Sequence, residues 1–278
     1  LKRGEVKMSL VHMNFESQYL GNNYEFSIIL PDKPRNVHPK DFYGSGQKYK
    51  VLWLLHGTFG DHTDWIRKSN IELYACERDL IVVMPSAMNS NYSNWPNFGT
   101  GYAMFDFLTE ELMPLVYNWF PASDKREDNF IAGLSMGGGG AIKYAVNHPD
   151  KFAAAAILSS CPRNLREIDL ETAPQRTKVS IMNAGGLDAY INSYENTWDI
   201  LAELNAKGNL PRLYFACGTN DFLYDSFRKF RQYAEEIGLK AEFEEIEGYR
   251  HEWRFWDLTI QHALTFFGLD TDNAGNPF

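Results

Sequence analysis

The stretch "FIAGLSMGGGGAIKYA" (residues 130–145) passes from an apolar run of strand length, through a serine crowded by glycines, into a pattern of helical period. Within it Gly133-Leu134-Ser135-Met136-Gly137 reads G-x-S-x-G. A serine on a tight strand-to-helix turn adopts a strained backbone and lifts its hydroxyl above the sheet. A side chain two residues to either side would collide with that turn, so glycine is wanted at both positions. The helix after the turn aims its first amides, and the positive end of its dipole, at the same point. The five-residue pattern alone arises by chance in roughly one chain in ten of this length. The flanking strand and helix therefore carry the reading of Ser135 as a nucleophile over that of a plain turn serine. A nucleotide site is a poor alternative: no G-x-G-x-x-G follows a strand and no Gly-Lys-Ser/Thr occurs.

Outward from this turn, apolar runs of strand length recur: "EFSIIL" (residues 25–30), "VLWLL" (51–55), "LIVVM" (80–84), "NFIAGL" (129–134), "AAAILSS" (154–160) and "RLYFAC" (212–217). "AEFEEI" (241–246) alternates and reads as a strand nearer a sheet edge. The unbroken middle runs suit strands buried on both faces, as parallel sheets require. Helical patterns lie between them. Residues 102–120 carry Phe105, Leu108, Leu112, Leu115 and Trp119 on one expected face, with a kink expected at Pro114. Others end at Pro149, Gly238 and Gly268. Strands alternating with helices predict an α/β fold, a mostly parallel sheet with helices on both faces. The chain has 278 residues and is read as one domain, 1–278. Residues 161–210 are too long for a plain connection and read as a lid or insertion over the nucleophile. Ile168, Leu170, Met182, Leu187 and Ile191 are its expected buried side chains.

Bulk properties narrow the function. The chain is 44% hydrophobic and 23% charged, with a formal charge of -9 and no basic cluster, which argues against nucleic acid or anionic lipid as a partner. Cys76, Cys161 and Cys217 are odd in number and far apart, a pattern suited to a reducing compartment. No stretch approaches the ~20 apolar residues of a membrane span. The opening "LKRGEVKMSL" lacks an apolar signal core. Residues 1–7 read as an extraneous leader ahead of Met8, and the expected location is cytoplasmic. Homo-oligomerisation is left open.

A serine needs a base, and the base an orienting acid. In this architecture the chain order is Ser, then Asp or Glu, then His. Three histidines follow Ser135. His148 sits at a helix end and His262 inside the last helix. His251, in the loop "EGYRHEW" between a strand and that helix, is the expected base. Asp221, just past the carboxyl end of the strand at 212–217, is the preferred acid, with Asp225 and the remoter Asp188 as alternatives. The oxyanion hole needs two backbone N–H groups. Met136 supplies one, and the loop "LLHGTFGDH" (54–62) the other, with Thr58 preferred and Phe59 second. A metal reading of His56, Asp61 and His62 lacks a clear third ligand, so no metal and no cofactor are expected. Trp65, Tyr92, Trp95, Tyr190 and Trp253 are candidates for an aryl pocket, Trp65 and Trp253 foremost, although most could equally be core.

The blocks "LLHGTFGDHTDW", "LIVVMPSAMNSNYSNW", "FIAGLSMGGGGA", "CGTNDFLYD" and "HEWRFWDLTI" together resemble the esterase D and tributyrin-esterase-like group of α/β-hydrolases, from about Val51 to Phe267. The resemblance implies an α/β-hydrolase fold, Ser135, Asp221 and His251 as the triad, and Thr58 and Met136 as oxyanion donors. It implies hydrolysis of short acyl or aryl esters, with feruloyl or cinnamoyl esters as the alternative. The loop "HGTFG" lacks the serine-glycine and cysteine of S-formylglutathione hydrolases, which ranks that substrate lower. Arg250, directly before the base, is not expected from the group. The sequence reading is a serine carboxylesterase acting on a small-molecule ester, ahead of an acyltransferase or a non-catalytic binding module.

Overall fold

Eight strands make one sheet in the computed structural model of the chain, which describes residues 7–269 and 271. Of the expected leader, residues 1–6 lie outside the described residues. The strands are β1 (Lys7–Ser17), β2 (Asn22–Asp32), β3 (Val51–Leu55), β4 (Ile81–Pro85), β5 (Asn129–Leu134), β6 (Ala154–Leu158), β7 (Arg212–Gly218) and β8 (Ala241–Ile246). Their spatial order is β1-β2-β4-β3-β5-β6-β7-β8. β1 and β2 form an antiparallel hairpin, β2 meets β4 antiparallel, and every other pairing in this sheet is parallel. The fold is that of an α/β-hydrolase.

Burial follows from position. β3, β4, β5 and β6 are buried at every residue because helices cover both faces. Alternate side chains feed two apolar layers. Val51, Trp53, Leu55 and Ile131 belong to the layer that also holds the inner faces of the helices Met136–Asn147 and Tyr224–Glu236. Leu52, Leu54, Phe130 and Ala132 pack beneath Ile71–Cys76 and Trp253–Phe266. β8 pairs only with β7 and is partly exposed along its length, which accounts for its charged alternation. β1 was not anticipated. It lies at the opposite edge, and its half-buried pattern gives a weaker signal than the inner strands.

The expected helix at 102–120 begins at Met104 and contains a π-helical turn at Leu108–Leu112 before Met113–Trp119. That wide turn just precedes Pro114, which has no N–H to give the ladder. One extra residue in a turn rotates the remainder of the helix by roughly 100°. Phe105, Leu108 and Leu112 are accordingly buried as expected, but Val116 takes over the inner face and Trp119 is 69% exposed.

Residues 161–210 contain a short 3-10 turn (Leu165–Glu167) and three helices, Gln175–Asn183, Leu187–Ile191 and Thr197–Lys207. Thr197–Lys207 is a crossover helix, sending Trp198 and Leu201 into the main core. The part before it encloses a small core of its own, Leu165, Ile181 and Tyr190, flanked by Ile168, Leu187 and Ile191. Leu170 and Met182, expected to be buried there, are exposed, since the three-residue core is closed without them. Among the described residues no helix is long and apolar enough to cross a membrane.

Candidate active site

β5 runs straight into the turn at Ser135, whose backbone sits at φ 52 and ψ -117, a region that costs a non-glycine residue about 1–3 kcal/mol. The two flanking glycines explain how the turn closes. A Cβ on Gly133 would lie 2.3 Å from the Gly137 carbonyl oxygen, and one on Gly137 would lie 2.5 Å from the Leu55 carbonyl oxygen. Neither partner is a side chain that could move aside. The turn is pinned from below, where the Ser135 amide donates to Leu158 O at 2.8 Å, and from the helix, where Gly139 N donates to Ser135 O at 3.1 Å.

Three side chains meet at this point. His251 Nε2 lies 2.9 Å from Ser135 Oγ, and His251 Nδ1 lies 2.8 Å from Asp221 Oδ2. Asp221 follows β7, and His251 follows β8 and precedes the helix Trp253–Phe266. The Asp221 carboxylate is fully buried and Oδ1 accepts the Leu223 amide at 2.9 Å. Burial pushes this carboxyl up, but hydrogen bonds from His251, the Leu223 amide and Ser159 outweigh it and hold it below the ordinary aspartate value. It is therefore ionised wherever the imidazole is a competent base. An ionised carboxylate only accepts, so Nδ1 carries the proton and Nε2 presents a lone pair to the serine hydroxyl.

The supporting residues were not anticipated. Trp256 Nε1 donates to Ser159 Oγ at 3.0 Å, and Ser159 in turn donates to Asp221. The Trp256 ring stands edge-on to His251 at 5.0 Å, and Phe222 packs on it at 4.5 Å. The sequence signal for Ser159 is faint, a serine ending an apolar strand. Only the fold reveals that β6 ends beside β7.

The loop after β3 is built around His56. Ala87 N donates to His56 Nε2 at 2.8 Å, which places the proton on Nδ1, and Nδ1 donates to Gly57 O at 2.6 Å. Burial lowers the pKa of this ring, and with both nitrogens engaged it has no lone pair left for a metal. Gly60 N also donates to Gly57 O, at 3.2 Å. In a trans peptide the C=O and the following N–H point in opposite directions. Fixing Gly57 O toward His56 therefore turns the Thr58 N–H the other way. Phe59 N, the second choice for an oxyanion donor, is already taken by Asn89 Oδ1 at 2.8 Å. Among the described residues neither the Thr58 nor the Met136 amide has an acceptor, and both residues line the same cavity as Ser135. His56→Leu removes the shorter of the two hydrogen bonds to Gly57 O, leaving only that from Gly60 N. It is expected to loosen the Gly57–Thr58 peptide and lower kcat by up to roughly a hundredfold, the scale of one lost oxyanion donor, with KM little changed. Steady-state kinetics with a nitrophenyl ester checks this, and an unchanged kcat would remove His56 from the account.

The cavity measures about 930 Å³ and is lined by Ser135, His251, Trp253 and Trp256, and by Cys161, Leu165, Arg176 and Tyr190 of the 161–210 segment. Residues of that segment thus share the cavity wall with the serine. Burial pushes the Cys161 thiol up to about 12, so it stays protonated. Of the expected aromatic set, Tyr190 and Trp253 line the cavity. Trp65 does not: it is 1% exposed, donates Nε1 to Leu55 O at 3.1 Å, and buttresses Trp253 edge-on at 5.2 Å. Tyr92 is also buried, its hydroxyl donating to His56 O at 3.1 Å, and Trp95 packs against Phe98. Asp225 and Asp188, the alternative acids, are exposed, His262 pairs with Glu244 at 2.9 Å, and His148 packs on Phe105. Arg250 is exposed and does not line the cavity.

Comparison with known proteins identifies the family. The Esterase family model ("Putative esterase") matches residues 17–267. An acetyl esterase of Caldicellulosiruptor saccharolyticus is 30% identical over 276 residues, covering 95% of this chain and all of that protein. A substrate-bound fluorophosphonate-binding serine hydrolase of Staphylococcus aureus is 31% identical with a TM-score of 0.79, covering 95% of this chain and 100% of its own. An S-formylglutathione hydrolase from Staphylococcus aureus is 32% identical with a TM-score of 0.77, covering 94% and 98%.

Proposed function

The chain belongs to the esterase family and is a carboxylic ester hydrolase, and on that premise we propose that Ser135, His251 and Asp221 are its catalytic triad. The observation that carries the assignment is the continuous pair of hydrogen bonds, Asp221 Oδ2 to His251 Nδ1 and His251 Nε2 to Ser135 Oγ, ending at a strained turn. His251 takes the Ser135 proton as the hydroxyl attacks the acyl carbonyl. Asp221 holds the tautomer and stabilises the imidazolium that forms. Charge developing on the carbonyl oxygen is met by the Thr58 and Met136 amides, the latter at the first turn of a twelve-residue helix whose dipole adds to the effect. His251 then protonates the leaving alcohol. Water, deprotonated by the same ring, releases the acid from the acyl-enzyme.

The first expected substrates are short acyl esters. The cavity is larger than an acetyl group needs, and Tyr190 and Trp253 on its wall favour hydroxycinnamoyl esters as the second reading. A panel of nitrophenyl esters of graded chain length, run beside methyl ferulate, separates the two by kcat/KM. Stopped-flow mixing with nitrophenyl acetate is expected to give a burst of nitrophenol stoichiometric with enzyme if deacylation is slow. Failure of a serine-directed phosphonate to stop turnover of every ester would reject the covalent mechanism.

A further inference from the structure

Six charged side chains other than the His251 base line the cavity. Four of them neutralise one another. Lys68 Nζ meets Asp64 Oδ1 at 2.9 Å, and Lys143 Nζ meets Glu195 Oε2 at 2.7 Å, the second pair almost wholly buried. The two that remain are Arg163 and Arg176, both from the 161–210 segment. Among the described residues neither arginine has a carboxylate partner. Arg176 Nη1 donates to Thr58 Oγ1 at 2.8 Å, so one guanidinium stands against the oxyanion loop itself. Arg163 is close enough that its like charge adds to burial in lowering the Arg176 pKa. Arg163 is also common to the walls of the main cavity and of an adjoining one of about 360 Å³.

Arg163 is exposed while Arg176 is half-buried and partly desolvated, so two like charges without a carboxylate face one cavity, an arrangement that an anion bound between them would relieve. Their placement is also at odds with a chain whose formal charge is -9. Arginine presents a planar fork of donors that matches a carboxylate. We propose that Arg163 and Arg176 are specificity residues for esters bearing a carboxylate, and that this wall selects acidic esters over neutral ones of the same size. The inference rests on the esterase reading of the site and adds a substrate class to it. It leaves open only which side of the scissile bond bears the charge, and two substrate pairs resolve that.

Charge on the acyl side is tested with p-nitrophenyl hydrogen adipate against p-nitrophenyl hexanoate. Charge on the alcohol side is tested with p-acetoxybenzoate against p-acetoxybenzamide. The readout is the ratio of kcat/KM for the charged member to that for the neutral one, at low salt. In at least one pair that ratio is expected to fall roughly tenfold in Arg163→Gln and in Arg176→Gln, the usual scale for one hydrogen bond to a charged group. Added salt should narrow the difference between wild type and variant. Lys207→Gln, on an exposed lysine of the crossover helix, serves as the control and should leave both ratios where they were. Because each ratio is internal to one protein sample, a general loss of folded enzyme cancels. Ratios that stay put for both pairs in both arginine variants would overturn the proposal. If turnover still required Ser135 in that case, the esterase reading would survive. Turnover independent of Ser135 would instead fail the site assignment on which the proposal rests.

Discussion

Ser135→Ala is expected to reduce kcat for nitrophenyl acetate by about six orders of magnitude, the scale at which an activated serine of this kind is lost. The expectation has a structural basis. Only the hydroxyl group is removed, and its partner His251 Nε2 faces a cavity where water can take its place. Alanine keeps the strained backbone of the turn at about the same cost as serine, because both carry a Cβ at this φ of 52. Circular dichroism and the thermal midpoint should therefore match the wild type. Residual catalysis from the oxyanion amides and from substrate binding sets a floor of roughly a thousandfold over water. A variant that retains more than about a thousandth of wild-type activity would exclude Ser135 as nucleophile, since that floor cannot account for it.

Asp221→Asn is expected to lower kcat by roughly four orders of magnitude while leaving the fold in place. Leu223 N and Ser159 both donate to the carboxylate, so the asparagine carbonyl oxygen is drawn toward them. Its amide nitrogen is then left to face His251 Nδ1. A donor there forces the proton of the ring onto Nε2, and Nε2 can no longer accept from Ser135. Asp225→Asn supplies the comparison, since Asp225 is exposed in the first turn of the next helix and should affect kcat only slightly. The same kinetic assay reads both. A large loss in Asp225→Asn with a small one in Asp221→Asn would mean that the acid is misassigned.

The parts of this architecture readable in the sequence are those where one residue type is forced. Inner strands buried on both faces must be continuous apolar runs, so β3 to β7 are legible as written. The serine turn is legible because two glycines are demanded: a Cβ on Gly133 or Gly137 would lie 2.3 or 2.5 Å from a backbone carbonyl oxygen. Asp221 and His251 could be reached by their order along the chain and their places after β7 and β8. The features that stayed hidden depend on contacts between distant segments. Ser159 supports Asp221 only because β6 and β7 end side by side, a pairing no local pattern states. Trp65 and Trp253 look equivalent in sequence, yet Trp65 is packed behind Trp253. The shift of Trp119 to solvent comes from one extra residue in the π-helical turn, which periodicity alone does not reveal. The unpaired charge of Arg163 and Arg176 emerges only once Lys68 and Lys143 are seen to have found partners.

The central claim is that one serine, on this turn, forms the covalent intermediate. Intact-protein mass spectrometry after treatment with a fluorophosphonate, with subsequent peptide mapping, tests it most directly. The account predicts a single phosphonyl adduct, located on Ser135, formed in step with complete loss of esterase activity and absent from Ser135→Ala. An adduct on any other residue accompanying inactivation, or full labelling of the Ser135→Ala protein, would contradict it.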